Sequence, residues 1–197
     1  MTLGDRIRAL AQLTLQNPRQ AARVLLAEGV PMRARTAGLL LVAVVSALLA
    51  SLQVGLTPQP LDPLSAFMLA SPIRAAVVQW LFLALSVVLV HQVGRAFGGR
   101  GSFPDALLIV VWLQLLMLAL QVLQLVVTFF SPALAGLIGL AGFGVFLWLM
   151  TTFIAELHGF TSRGLVFLGM VLSCLAAGFV LGILLILILG PEAFLNV

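Results

Sequence analysis

The sequence predicts an all-α integral membrane protein, in which a bundle of five transmembrane helices is preceded by short amphipathic cytoplasmic helices. Three observations predict this fold class: 62% of the 197 residues are hydrophobic, only 8% are charged, and the mean hydropathy is +1.23. Soluble domains carry about 25% charged residues, whereas long apolar stretches are typical of membrane proteins. The composition therefore excludes a disordered chain, a basic nucleic-acid binder and, with one cysteine, a disulfide scaffold.

Five apolar stretches are long enough to cross a bilayer, which takes about 20 apolar residues in a helix. The third and fourth are separated only by Ser131-Pro132, so we expect them to form an antiparallel hairpin. The predicted spans cover about residues 36–56, 75–93, 106–130, 133–155 and 165–189. They make up a membrane domain, 36–190, between a cytoplasmic amphipathic segment, 1–35, and a short outside tail, 191–197.

The segment before the first span is predicted to form short amphipathic helices. Thr2 and Asp5 have the spacing of a capping box, Asn17 and Pro18 can begin a second helix, and Gly29 ends it. Basic amphipathic helices suit an anionic headgroup layer. We favour an in-plane anchor that orients the first span; the alternative is a docking helix for a cytoplasmic partner.

Nearly all arginines lie on one side of the predicted spans. Arginine-rich loops face the cytoplasm, so the N-terminus is predicted to be cytoplasmic and the C-terminus outside. A chain without lysine and rich in Ala, Gly and Leu is typical of a high-GC bacterial genome, which suggests a bacterial inner membrane. The opposite side holds Arg74, Asp62 and Glu192. The nine arginines of the predicted cytoplasmic side are Arg6, Arg8, Arg19, Arg23, Arg33, Arg35, Arg95, Arg100 and Arg163.

Polar residues inside the predicted spans are mostly amides. No charge lies near the centre of a span, which argues against a proton pump or an ion-coupled transporter. The third span carries Gln114, Gln121 and Gln124, the first two on one helical face. Amides of this kind form interhelical hydrogen bonds or line a wet path, and we favour the structural role.

Small residues recur at four-residue spacing in the first and fifth spans, as in Ala43-x-x-x-Ala47 and Gly178-x-x-x-Gly182. Such ladders permit close approach of helix backbones. Packing within the chain is the expected use, and a homodimer is the alternative.

The predicted cytoplasmic rim is the candidate interaction site. A glycine-rich basic loop follows the second span, Ser102 can cap the third, and Glu156 is expected to pair with Arg163, Arg95 or Arg100. The candidate rim residues are Arg95, Gly98, Gly99, Arg100, Asp105, Glu156, His158 and Arg163.

The rim lacks the patterns of a catalytic, cofactor or metal site. The glycine loop has no Lys followed by Ser or Thr, as a phosphate-binding loop needs. Glu156 and His158 are two residues apart and point to different faces of a helix. No nucleophile elbow is present. We therefore predict no catalytic residues, no cofactor and no metal, and a salt-bridged rim that contacts anionic lipid headgroups or a partner protein.

Three parts of the chain resemble the Yip family, the Ypt/Rab-interacting-protein group of five-span membrane proteins, in its short bacterial form. A proline-containing amphipathic segment, 17–26, precedes the first span. Residues 94–103, GRAFGGRGSF, are similar to the family pattern Gly-Arg-x-x-Gly-Gly-x-Gly-Ser-Phe, and residues 157–161, LHGFT, resemble its His-Gly turn. The resemblance covers about residues 15–190.

The resemblance implies an integral membrane protein with a cytosolic N-terminus and no known enzymatic reaction. Eukaryotic relatives act in vesicle trafficking and are linked to Rab-type GTPases; this chain lacks their Asp-Leu-x-Gly-Pro motif before the first span. We predict a non-enzymatic scaffold or adaptor that binds a partner protein or lipid at its cytoplasmic face, with no nucleic acid involved. The alternative is a small transporter, channel or lipid-handling protein with a path lined by the third span.

Overall fold

The computed structural model describes residues 2–56 and 63–189, and these ranges form eight α-helices without a β-strand. Five helices are long and apolar enough to cross a membrane, which confirms the predicted fold class. The predicted tail, 191–197, lies outside the described residues, as does Asp62. In chain order the helices are α1 (Leu3–Gln16), α2 (Pro18–Ala27), α3 (Met32–Leu56), α4 (Pro63–Leu69), α5 (Pro72–Ala96), α6 (Phe103–Thr128), α7 (Pro132–His158) and α8 (Arg163–Leu189).

Most of the long helices begin or end several residues beyond the apolar stretches that predict them. Helix α3, for example, begins at Met32, so Arg33 and Arg35 lie in its first turn rather than before it. Hydropathy detects the part of a helix that suits hydrocarbon, whereas backbone hydrogen bonding continues into the polar residues at its ends. The ends of the long helices therefore carry the charged groups of the candidate site.

The core of the bundle is built around α6. Of the residues in its apolar centre, 44% are buried, against 6% in α8. Helix α6 packs against α3, α5 and α7, and its Ile109 and Leu113 belong to the same hydrophobic core as Leu149 and Phe153 of α7. Ser131 caps α7 directly after α6 ends, which forms the predicted hairpin. Helix α8 lies at the periphery.

The two N-terminal helices begin where the sequence predicts. The Thr2 hydroxyl accepts the Asp5 N–H at 3.2 Å, and the Asp5 carboxylate accepts the Thr2 N–H at 3.0 Å. Hydrogen bonds from the Thr2 hydroxyl, and then from its backbone N–H, hold the pKa of Asp5 below its ordinary value. Asn17 caps α2, and Pro18 is its first residue.

Helices α1 and α2 form a hairpin that packs on the bundle. Ala21 and Ala22 of α2 are fully buried against the ends of α6 and α7. Thr14 of α1 is also buried, and its hydroxyl accepts a hydrogen bond from the Trp112 indole of α6 at 3.2 Å. The inner face of this N-terminal hairpin is thus covered by the bundle, while Leu3 and other apolar side chains of α1 stay exposed.

One end of the bundle collects the basic residues, and we call it the basic end. It consists of the N-terminal hairpin, the first turns of α3 and α6, the α5–α6 loop (97–102), and the α7–α8 loop (159–162) with the helix ends beside it. Contacts between these parts bring the predicted rim residues to one end of the molecule.

Candidate functional site

His158, the last residue of α7, lies at the centre of the basic end and is only 2% exposed. Its Nδ1 accepts the Gly101 N–H at 3.2 Å, and its Nε2 lies 3.0 Å from the Val90 carbonyl oxygen. A backbone N–H only donates and a carbonyl oxygen only accepts. The imidazole is therefore neutral, with its proton on Nε2, and both ring nitrogens are occupied.

The glycines of the α5–α6 loop leave the space that this ring fills. A Cβ on Gly94 would lie 2.2 Å from His158 Nε2, and one on Gly99 would lie 2.3 Å from Nδ1. A Cβ on Gly101 would lie 2.6 Å from Leu157 Cγ and 2.8 Å from the ring carbon Cε1. A Cβ on Gly98 would meet no atom within 4 Å, but this residue adopts φ +83°, a conformation that L side chains rarely take. The imidazole thus accounts for three of the four glycines of residues 94–101, and the backbone conformation accounts for Gly98.

The His-Gly turn completes this arrangement. Gly159 adopts φ +73° and ends α7 in a left-handed cap, and the Phe160 ring stacks on the imidazole at 5.5 Å between centroids. The Arg100 N–H donates to the His158 carbonyl oxygen at 3.3 Å. Helix α5, the α5–α6 loop and helix α7 are therefore fixed together by one histidine.

Glu156 pairs with residues that the sequence analysis assigned to other roles. Its carboxylate lies 3.3 Å from Arg19 Nε and 2.9 Å from Arg23 Nε. The expected pairing with Arg163, Arg95 or Arg100 is wrong. Helix α2 packs on α7, and Arg19 and Arg23 lie four residues apart on one face of α2. Both therefore lie within ion-pair distance of Glu156. The predicted amphipathic helix thus supplies the ion pairs of the rim.

Asp105 is paired with a buried arginine that the sequence analysis used only for orientation. Arg35 Nη1 lies 2.9 Å from the Asp105 carboxylate, and Arg35 Nε donates to the Val30 carbonyl oxygen at 2.7 Å. Arg35 is only 8% exposed, so its charge requires such partners. The Ser102 hydroxyl bonds to Asp105 and caps α6, as predicted. The feature of the sequence that could have indicated this pair is the position of Arg35 directly beside the first apolar stretch.

Every carboxylate in the described residues has a hydrogen-bond or ion-pair partner at the basic end, whereas several arginines there have no carboxylate partner. Asp5 bonds to Thr2 and Glu28 pairs with Arg6, besides the acids already described. Within residues 2–56 and 63–189, five arginines of this end have no carboxylate within 4 Å. We call this set the basic face: Arg8, Arg33, Arg95, Arg100 and Arg163.

The basic face is largely accessible. Arg95, in the last turn of α5, and Arg100, in the α5–α6 loop, are exposed. Arg163 begins α8 and is half-buried, and its Nε is a buried atom without a hydrogen-bond partner. The end of the molecule therefore presents an excess of positive charge that the described carboxylates do not neutralise.

The glutamines of α6 are used in helix packing. Gln114 donates to the Ser46 hydroxyl at 3.0 Å and Gln121 to the Ser46 carbonyl oxygen at 3.3 Å, both on α3. Gln124 donates to the Ala135 carbonyl oxygen of α7 at 3.4 Å. These bonds support the structural role that the sequence analysis favoured over a wet path.

The chemistry available at the basic end is recognition of negative charge. His158 has no free nitrogen, and Glu156 and Asp105 are held in ion pairs. In the part of the chain that the structure describes, no three His, Cys, Asp or Glu side chains are grouped to hold a metal ion. The accessible charged groups of the basic face are arginines.

Comparison with known proteins identifies the family. No curated protein and no solved structure matches the chain. The model of the Yip1 domain matches residues 13–185. This match includes α2, the glycine loop, the His-Gly turn, four long helices in full and α8 as far as residue 185, so most of the sequence contributes to it. The chain therefore belongs to the Yip1-domain family of membrane proteins.

Proposed function

We propose that this protein is a non-enzymatic membrane scaffold that binds an acidic partner protein at its basic end. The observation that carries the proposal is the basic face, five arginines at one end of the molecule without a carboxylate partner among the described residues. Surfaces with one sign of charge attract partners of the opposite sign and orient them during encounter.

The packing around the basic face favours a scaffold, because it holds the helix ends and the loop that carry the arginines in fixed positions. His158 fixes the α5–α6 loop to α7, the Arg35–Asp105 pair joins the first turns of α3 and α6, and Glu156 holds α2. Arginines on a fixed support lose less conformational freedom on binding than arginines on a mobile loop. The same contacts occupy the ring nitrogens of His158 and the carboxylates of Glu156 and Asp105.

The proposal places the basic end in the cytoplasm of a bacterial cell. Nine of the ten arginines lie at this end, and arginine-rich ends of membrane proteins remain on the cytoplasmic side. The partner is then a cytoplasmic protein, or the cytoplasmic domain of a membrane protein, with a carboxylate-rich surface.

Cross-linking in native membranes tests the proposal. The full-length protein is cross-linked and purified, and its companions are identified by mass spectrometry. A stoichiometric acidic protein should be recovered with the wild type and lost with Arg95→Ala/Arg100→Ala. Arg74→Ala, at the opposite end of α5, is the matched control and should retain the partner.

Two results would overturn the proposal. One is a partner that the double variant binds as well as the wild type, since docking would then not use the exposed arginines. The other is recovery of only self-cross-links and anionic lipid, which would make the basic face a lipid contact.

A further inference from the structure

A cavity of about 420 Å³ lies between α5, α7 and α8, and its lining ends at Ser162, next to Arg163 of the basic face. It opens beside the α7–α8 loop, where Phe160, Thr161 and Ser162 line it, and extends along α8 to Ser173 and Cys174. The lining between these ends is mostly leucine, valine, isoleucine and methionine. From Arg163 to Cys174, a helix rises about 17 Å, slightly more than half of a ~30 Å hydrocarbon core. The groove therefore has the depth of one membrane leaflet.

The α8 wall of this groove is largely exposed. Leu165, Leu168 and Leu172 line it and are more than half exposed. A Cβ built on Gly169, in the same wall, meets no atom within 4 Å. Helix α8 is the least buried of the long helices. In a bilayer, the walls of an empty apolar groove would lack dispersion contacts. A flexible hydrocarbon chain would supply them, and we therefore expect such a chain to occupy the groove.

The mouth of the groove is polar and positively charged. Thr161 and Ser162 are exposed there, and the next residue is Arg163, whose Nε is buried without a partner. Arg95 directly follows the lining residue Gly94, in the last turn of α5. The carboxylates of the described residues are engaged elsewhere at this end. A negatively charged headgroup would find hydroxyl and arginine donors at the level where an acyl chain enters the groove.

We propose that the α5–α7–α8 groove is a binding site for an anionic phospholipid, with one acyl chain between α5 and α8 and the phosphate at Thr161, Ser162 and Arg163. The inference does not rest on the scaffold proposal, because it shares only Arg163 with the basic face and needs no partner protein. It also differs from the path along α6 considered for the glutamines, since the residues that line the groove come from α5 with Phe97, α7, the α7–α8 loop and α8.

Photo-cross-linking with purified full-length protein tests the site. The protein is placed in vesicles of phosphatidylcholine and phosphatidylglycerol, with a trace of phosphatidylglycerol that carries a diazirine in one acyl chain. After illumination, mass spectrometry locates the adducts. We expect them on the lining segments of α8 and α5, around Gly169 and Val90.

Two matched pairs of variants separate a site from general lipid contact. Gly169→Leu fills the groove and should lower the labelling of its walls several-fold, whereas Gly178→Leu, on the same helix but outside the lining, should not. Arg163→Gln should remove the preference for the phosphatidylglycerol probe over a phosphatidylcholine probe. Arg33→Gln, another arginine of the basic face, should retain that preference.

The variants also define what would overturn the proposal. Equal labelling of Gly169→Leu and Gly178→Leu would show that the adducts come from lipid around the whole bundle. Equal labelling by the two probes in the wild type would show that the headgroup is not recognised. The helicity and unfolding midpoint of each variant identify any that fail to fold, and Ser173→Phe then fills the groove from a second position.

Discussion

At the scale of single residues, one neutral histidine determines where glycine is required. The ring of His158 accepts one hydrogen bond and donates another, and it occupies the volume that side chains at positions 94, 99 and 101 would need. A buried imidazole with both nitrogens satisfied is stable, but a displaced one leaves the Gly101 N–H without a partner. The loop and the histidine therefore depend on each other.

Substitution of Gly94 by alanine should destabilise the protein. The new Cβ would lie 2.2 Å from His158 Nε2, so the ring must move and its hydrogen bonds weaken. We expect a loss of about 1–3 kcal/mol in the free energy of unfolding, although alanine favours a helix over glycine by about 1 kcal/mol. Unfolding in mixed micelles by titration with sodium dodecyl sulfate measures this change.

Gly144→Ala provides the control for Gly94→Ala. Gly144 lies within α7, and a Cβ there meets nothing within 4 Å. This variant should be as stable as the wild type or slightly more so. If Gly94→Ala were equally stable, the close approach of the imidazole to α5 would be refuted.

A double-mutant cycle tests the packing role of Gln114. The Gln114 amide donates to the Ser46 hydroxyl across α6 and α3. Gln114→Leu and Ser46→Ala should therefore show a coupling energy of about 0.6 kcal/mol, the average for such bonds in membranes. The cycle is measured by the same unfolding titration. A coupling near zero, together with a loss of solute flux in Gln114→Leu, would instead favour a path along α6.

At the scale of elements, the N-terminal hairpin is part of the bundle. Sequence patterns predict its helices and caps correctly, because capping and amphipathic spacing are local. They do not predict its partners: the Arg23–Glu156 bond joins residues 133 positions apart, and nothing in the sequence near either residue specifies the other. The same reason explains the wrong partners expected for Glu156 and the missed role of Arg35.

Glu156→Gln should loosen the hairpin without unfolding the bundle. The variant removes the carboxylate that Arg19 and Arg23 share, and partly exposed pairs of this kind are worth at most about 1 kcal/mol each. Amide hydrogen exchange in α2 should increase, by about fivefold for 1 kcal/mol, while exchange in α6 and α7 stays unchanged.

Glu28→Gln is the matched control for this experiment. It removes the ion pair with Arg6, which lies within the hairpin rather than between the hairpin and α7. Exchange in the residues of α2 that face the bundle should not change. Unaltered exchange in Glu156→Gln as well would show that apolar packing of α2 alone holds the hairpin.

At the scale of the whole molecule, hydropathy was sufficient to predict five spans and their order. Long apolar stretches separated by Ser131-Pro132 and by the arginine loops have one simple arrangement in a bilayer. Hydropathy did not indicate that α6 would be central and α8 peripheral, because the two helices are almost equally apolar. Their places depend on shape and on small and polar side chains along each face, which a hydropathy average does not contain.

The odd number of spans gives a test of topology. Tags fused at Met1 and at Val197 should be accessible from opposite sides of the membrane, with the Met1 tag on the cytoplasmic side. Protease protection in spheroplasts and in inverted vesicles measures both. Tags on the same side would contradict five spans, and exchanged sides would contradict the orientation but not the fold.

The position of His158 late in the chain has a consequence for biosynthesis. The glycine loop is synthesised about 57 residues before the ring that fills it, and the N-terminal hairpin 133 residues before Glu156. Neither can reach its final arrangement until α7 has left the ribosome and entered the membrane. A chain released after its third span would therefore lack both the ring that fills the glycine loop and the carboxylate that pairs with α2.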